Sequence, residues 1–347
     1  MNALPEVRES ARATEAARRK TMWRIAPQYL PLAVTVALFL AMAGAGGALY
    51  DGFLSPQVFL NLLIDNAFLC IVAVGMTFVI LSGGIDLSVG AVIAFTTVLI
   101  AALIERQGWH PLAAIALALA LGAAFGAGMG ALIQRFRLQA FVVTLAGMFL
   151  ARGASYLISV DSISIDHPFH TAVAYLRIPV GGGYSLSVAA VIALLVVAAG
   201  IVIAHFTRFG RAVYAIGGNA HSAMLMGLPV DATVIRVYAL SGFLSALAGV
   251  VLTFYMLSGY SLHALGLELD AIAVVVIGGT LLAGGSGYIA GTLVGVLILG
   301  MIQTLIIFEG TLSSWWTRIA IGVLLLLFCL LQRVFENVRR KRPEAAR

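Results

Sequence analysis

The 347-residue chain is short of charge: Asp, Glu, Lys and Arg make up 10% of it, against 61% hydrophobic residues. Soluble domains carry roughly 25% charged residues, so a water-soluble globule is excluded. Lysine is almost missing. The two present, Lys20 and Lys341, lie in the terminal tails, so no phosphate-binding loop of the form G-x-x-x-x-G-K-[ST] can be assembled. Any ATP-driven step must use an ATPase on another chain. Two cysteines, Cys70 and Cys329, fall inside apolar runs with no C-x-x-C pair or His/Cys cluster, which leaves neither a disulfide framework nor a metal site to propose. The histidines, at 110, 167, 170, 205, 221 and 263, all sit in or beside loops, and no Ser/His/Asp constellation is suggested. Alternating apolar and polar segments are lacking too, which excludes a transmembrane β-barrel.

What is there is one long apolar run after another. A helix crossing the hydrocarbon needs roughly 20 apolar residues, and the pattern predicts an all-α polytopic membrane protein of about ten spans. They fall at 27–49, 59–81, 87–104, 111–133, 139–160, 184–206, 234–258, 265–283, 285–308 and 314–332. A basic N-terminal tail (1–26) and a basic C-terminal tail (333–347) flank this membrane domain (27–332). The first run is too long for a secretory signal and reads as an uncleaved span. With the N-terminus inside, 16 basic residues fall on the inner side and two, Arg106 and Arg177, outside. Basic residues hold loops in the cytoplasm, so both termini are expected there. The same distribution explains the net charge of +6 without nucleic acid, which is not expected as a partner; the lipid bilayer is.

Two loops exceed a minimal connection. The outer one, 161–183, is expected to form a short cap. The inner one, 207–233, reads TRFGRAVYAIGGNAHSAMLMGLPVDAT. Gly217-Gly218-Asn219 is a helix stop followed by a fresh start, and HSAMLMGLPV then predicts a short amphipathic helix ended by Gly227 and Pro229. Such a helix is either a compact connection or a segment that inserts into a partner's groove.

Polar residues at span depth are few. In FVILSGGIDLSVG (78–90), Gly83 and Gly84 weaken the helix next to Asp86. Broken backbone at membrane depth needs protein or water around it, and Asp86 is expected to accept freed N–H groups or to cap the third span; a part in a pathway is the other reading. A related turn, AGGSGYIAG (283–291), aligns with SGGIDLSVG (82–90) at an offset of 201, an echo that glycine abundance alone can also produce. Gly122, Gly126, Gly128 and Gly130 read as close helix packing. Asp65 and Arg152 lie within spans, where ionisable groups face the bundle interior; Arg152 must find a carboxylate or carbonyl partner. Glu268 and Asp270 are read as solvated charges at the start of the eighth span.

Taken together, VILSGGIDLSVG (79–90), TLAGMFLARG (144–153), FGRAVYAIGGNAHSAMLMGLPV (209–230) and LDAIAVVVIGGTLLAGGSG (269–287) resemble the permease of bacterial ribose-type ABC sugar importers, in order and over essentially all spans. NLLIDNAFL, AIGGN and GTLSSWWTRIAIG look most like the galactofuranose importer's permease, and Asp65 looks like a feature of that branch. The resemblance implies a bacterial inner-membrane subunit that works with a second permease chain, a periplasmic sugar-binding protein and a cytoplasmic ATPase holding ATP and Mg. It also implies that 207–233 carries the coupling helix, with Gly210, Arg211, Ala215, Gly217, Gly218, Asn219, Ala223 and Gly227 as coupling positions. Gly83, Gly84 and Asp86 would then form an inner hinge. Asp65, Arg152, Glu268 and Asp270 stay as hinge or pathway candidates. The rival reading is a proton-coupled secondary transporter using Asp65 or Asp86.

Overall fold

In a computed structural model, residues 30–311, 313 and 315–341 are described, with side chains between 31 and 332. The N-terminal tail 1–26 lies outside them, as do the side chains of 333–347. Long helices dominate: α1 (Leu30–Leu49), the pair α2 (Pro56–Asp65) and α3 (Ala67–Leu81), α4 (Val89–Ala101) continued by a π-helical turn (Ala102–Arg106), α5 (Pro111–Arg135) and α6 (Ala140–Ile158). Next come β1 (Ile163–Ser164), α7 (Pro168–Tyr175), the strands β2 (Arg177–Gly181) and β3 (Tyr184–Ser187), and α8 (Val188–Phe206). The short helices α9 (Arg208–Gly218) and α10 (Ala220–Leu225) follow, then α11 (Val230–Met256), β4 (Ser258–Gly259), α12 (Leu267–Ile277), α13 (Ile289–Glu309) and α14 (Trp315–Lys341).

Eight helices among the described residues are long and apolar enough to cross a membrane, and the bent pair α2–α3 makes a ninth. Two expectations need correction. The second span is broken at Asn66, where α2 and α3 meet at 61°; the Asn66 side chain donates to the Leu62 carbonyl (3.0 Å) and so takes up a group freed by the break. The predicted eighth span, 265–283, is an 11-residue helix, α12. At 1.5 Å per residue it is about 16 Å long, half of a ~30 Å hydrocarbon core. Apolar composition could not tell a half-span from a whole one, because the non-helical residues after Ile277 are small and uncharged.

Local chemistry sets the helix starts. Pro at the first helical position opens α2, α5 and α7, where its missing N–H costs nothing. His110 and His167 cap α5 and α7 by accepting an N–H two residues on. Ser187, Thr207 and Asn219 do the same for α8, α9 and α10 at three residues.

Packing is densest around α11. Gly122, Gly126 and Gly130 of α5 form a seam at four-residue spacing: a methyl on any of them would run into the backbone of Gly242, Tyr238 or Ile235. Gly128, off the seam, meets nothing. Small residues allow this approach, which dispersion then stabilises in lipid. Helices α3, α4 and α11 are largely buried, while α1 and α14 stand at the periphery. At the end of α8 away from α9, a cap forms as expected from 161–183: β1 pairs antiparallel with β4, α7 lies on Phe254, and β2–β3 makes a hairpin.

Candidate functional site

The broken second span and the half-span α12 end in the same way. After α3, Gly83 at φ +83° donates its N–H to the Ile80 carbonyl and Gly84 to that of Val79. After α12, Gly279 at φ +90° donates to Val276 and Thr280 to Val275. This paired 5→2 and 6→1 pattern ends a helix on a left-handed residue, which glycine takes without a Cβ penalty. By hydrogen bonding, the counterpart of Gly83 is therefore Gly279. The sequence echo at an offset of 201 instead paired Gly83 and Gly84, at the end of α3, with Gly284 and Gly285, which lie beyond the end of α12.

Asp86 sits in the non-helical segment that follows α3, with no solvent exposure. One oxygen accepts from the Ser88 N–H (2.9 Å) and hydroxyl (2.6 Å), the other from the Ser241 hydroxyl (2.7 Å). Ser241 is eleven residues into the 27-residue α11, about 16 Å from its start, so the carboxylate meets the middle of that helix rather than its end. A charge there persists only when hydrogen-bonded on all sides. The residue is not the helix cap itself: Ser88 takes that position for α4, and Asp86 closes a turn onto it. Tyr238 and Thr144 hydroxyls donate to the Ile85 carbonyl beside it. Gly84 leaves room for the Tyr238 ring, since a methyl there would strike its hydroxyl oxygen. Ser241 and Tyr238 were missed from the sequence, where each is one small or aromatic residue in a long apolar run.

The loop 207–233 reaches both turns. Gly285 donates its N–H to the Leu81 carbonyl (2.9 Å), joining the second turn to the end of α3. A methyl on Gly217 would fall on that carbonyl and on the Gly285 amide; one on Gly284 would come within 3.0 Å of Gly83. One on Gly285 would come within 2.8 Å of Gly218. Three glycine pairs, 83–84, 217–218 and 284–285, thus meet at one junction. The Tyr214 hydroxyl donates to the Gly287 carbonyl (2.7 Å) and its ring stacks on His205. Burial first, then Tyr288, pushes its phenol up to about 12, so it remains a donor. Phe209 packs on Phe78 of α3 with ring centroids 6.1 Å apart.

The coupling candidates therefore divide. Gly210 packs against the carbonyls of Ile203 and Ala204, and Gly217 and Gly218 against the turns. Ala215 is half-buried in α9, Asn219 caps α10, and Ala223 is fully buried. Gly227, at φ +80°, ends α10 with the same two bonds that end α3 and α12. Arg211 is exposed. The outward face belongs to residues absent from the candidates: Met224, Leu225 and Met226, at 51%, 74% and 71% exposure.

The remaining candidates are dispersed. Arg152 finds carbonyl partners, donating to Ser261 (2.6 Å) and His263 (2.8 Å). The reading of Glu268 and Asp270 as solvated is overturned. Glu268 Oε2 is buried without a hydrogen-bond partner among the described residues and packs on Gly90, and Asp270, 14% exposed, pairs with Arg318 at 2.7 Å. Asp65 lies far from Asp86 along the fold, at the α2–α3 bend, accepting from the Tyr255 hydroxyl (3.2 Å). Among the described residues no three potential metal ligands cluster.

Comparison with known proteins places this arrangement. The family described as "Branched-chain amino acid transport system / permease component" matches residues 58–329. The inner membrane ABC transporter permease protein YjfF of Escherichia coli (strain K12) is 56% identical over 309 residues, 88% of this chain and 92% of its own length. The fructose import permease protein FruG of Bifidobacterium longum is 39% identical over 95% of this chain and 98% of its own. The ribose import permease protein RbsC of Bacillus subtilis is 41% identical over 82% and 87%. No solved structure matches the chain significantly. With the match spanning nearly all of the helices described above, the chain belongs to this family and is a multi-pass ABC transporter permease, a subunit that is not itself an enzyme.

Proposed function

We propose that the chain is the translocation subunit of an ATP-driven, binding-protein-dependent importer of a monosaccharide, galactofuranose or a related furanose, in a bacterial inner membrane. The relatives named for ribose and fructose import support the sugar class, and the segments NLLIDNAFL, AIGGN and GTLSSWWTRIAIG support the furanose. A cytoplasmic ATPase, a second permease chain and a periplasmic binding protein complete the assembly, and both termini are cytoplasmic.

The observation that carries the coupling mechanism is the junction beneath α10. Its exposed Met224, Leu225 and Met226 offer an apolar ridge of the kind that fits a partner's groove. Behind the ridge, α9 holds both broken spans through Gly217, Gly218 and Tyr214. A displacement of α10 by an ATPase is handed directly to backbone in two spans at once. Close packing transmits such a shift because the junction has no side chains to absorb it. A proton-carrier role for Asp86 fits poorly, since all its near neighbours are donors already engaged.

The test is to extract the C-terminally tagged chain gently from native membranes and identify what co-purifies stoichiometrically. An ATPase and a second permease chain are expected. Replacing Leu225 with Asp should release the ATPase while leaving the permease in the membrane. A chain that emerges alone even after crosslinking overturns the reading.

A further inference from the structure

A cleft of about 160 Å³ opens at the hairpin end of the bundle, between α2, α7, the β2–β3 hairpin, the start of α8 and the end of α11. Its lining is mixed: Tyr175, Phe254 and Tyr255 supply rings, and Arg177 and Ser187 supply polar groups. Asp65 adjoins it next to the lining residue Ile64, holding the Tyr255 hydroxyl through Oδ1. Its second oxygen takes no hydrogen bond from any described residue. Arg177 spends one N–H on the Ala174 carbonyl (3.2 Å) and keeps the rest of its fork. Tyr175, Arg177 and Tyr255 are exposed, so these groups face whatever arrives from outside.

A carboxylate and a guanidinium with spare valences, set around aromatic faces, are the groups that engage a sugar. Hydroxyls bridge to the charged groups with charge-assisted bonds, and the C–H face of the ring lies on an aromatic side chain. The size also matters. Small-molecule pockets that hold a ligand tightly have volumes of roughly 300 Å³ and more, so this cleft encloses part of one ring.

We infer that the Asp65–Tyr255–Arg177 cleft is a monosaccharide resting site at the outer mouth of the permease, weak by construction, which takes the sugar as it leaves the binding protein. This rests on the sugar-import reading above. It adds a place on this chain where the substrate is touched, and gives Asp65 the role of hydrogen-bonding sugar hydroxyls.

The experiment uses the full-length permease co-purified with its ATPase in nanodiscs, without binding protein. Saturation-transfer NMR is recorded with millimolar methyl β-D-galactofuranoside, D-galactose, D-ribose and D-fructose. Transfer to ring C–H protons of at least one sugar is expected, and it should fall about fivefold or more in Asp65→Asn, Arg177→Met and Tyr255→Ala variants that melt with the wild type. Tyr255→Phe, which keeps the ring and frees Asp65, should retain part of the signal. In the complete system, Asp65→Asn should lower maximal uptake while stimulation of the ATPase by loaded binding protein persists. No transfer to any of the four sugars, or equal transfer in wild type and variants, overturns the site. Direct binding without ATP-dependent uptake would keep the site and overturn the importer instead.

Discussion

The two broken spans share a helix ending and differ in what holds the turn that follows. The first, 82–88, is tied to the centre of the bundle. Asp86 gathers three donors, one of them from α11, while Tyr238 and Thr144 grip the neighbouring carbonyl. The second, 278–288, has no carboxylate. Its anchors come from the periphery and from the loop: Thr35 of α1 donates to the Ile277 carbonyl (2.6 Å), Gln332 of α14 to that of Thr280 (3.1 Å), and Tyr214 of α9 to that of Gly287. Thr280 Oγ1 is buried with no hydrogen-bond partner among the described residues. One turn is a post set in the centre of the bundle; the other is held from the bundle's periphery, and α9 touches both.

The largest effect should come from removing the post. Asp86→Ala strands the Ser88 N–H and two hydroxyls in the buried interior, and at roughly 1–3 kcal/mol for each unmet group the loss should approach about 4 kcal/mol. Thermal unfolding followed by size exclusion in detergent would show it, and an unchanged midpoint would sink the distinction between the turns. Next come the matching glycines. Both Gly83→Ala and Gly279→Ala put a Cβ on a left-handed residue, at about 1–2 kcal/mol. Only Gly279 also meets a neighbour, Pro31 of α1 at 2.9 Å, whereas the nearest atom to a Gly83 methyl is 3.9 Å away. Gly279→Ala should therefore destabilise by about 1 kcal/mol more, since overpacking adds its own strain; equal midpoints would contradict this.

A pH change supplies a control outside both turns. His170 in α7 is fully buried between Phe169 and Phe254, with neither ring nitrogen hydrogen-bonded to any described residue. Burial first, then His167, pushes its pKa down to about 4 from 6.5. The folded cap holds the neutral ring, so its contribution is complete above pH 6.5 and is lost as the pH falls toward 4. Protection factors of the amides in 168–175, which correct for the slower intrinsic exchange at low pH, should fall over that window, and His170→Phe should remove the dependence. The smallest effect belongs to Thr280→Val. Taking away an unpaired buried hydroxyl should leave stability within about 1 kcal/mol, on the stabilising side, whereas Ser241→Ala, which robs Asp86 of a donor, should destabilise. Equal results for the two would erase the contrast between the turns.

Much of this was legible without coordinates. Apolar run length marked most of the membrane helices, because lipid forces backbone groups to pair within a helix and so demands length. Gly217-Gly218-Asn219 marked the α9–α10 boundary, because its stop and cap signals are local. The short eighth helix was not legible: Gly278–Gly287 is as apolar and small as a helix built for close packing, and only the hydrogen bonds at Gly279 separate the two. Glu268 and Asp270 were misjudged for a related reason, since a charge at a helix start reads as solvated until its neighbours are known.

The sequence by itself determined that the chain crosses the membrane many times, that it lacks the residues to bind ATP in a P-loop, and that a long loop with a helix stop at Gly217-Gly218-Asn219 follows α8. These follow from composition and from interactions spanning a few residues. Only the tertiary structure decided that three glycine pairs, separated by up to 202 positions in the chain, touch at one junction, and that Asp86 is closed by a serine 155 residues away. Contacts of that kind depend on which helix faces which. In this protein that choice is made by backbone packed against backbone, where glycine carries no side-chain signal to read.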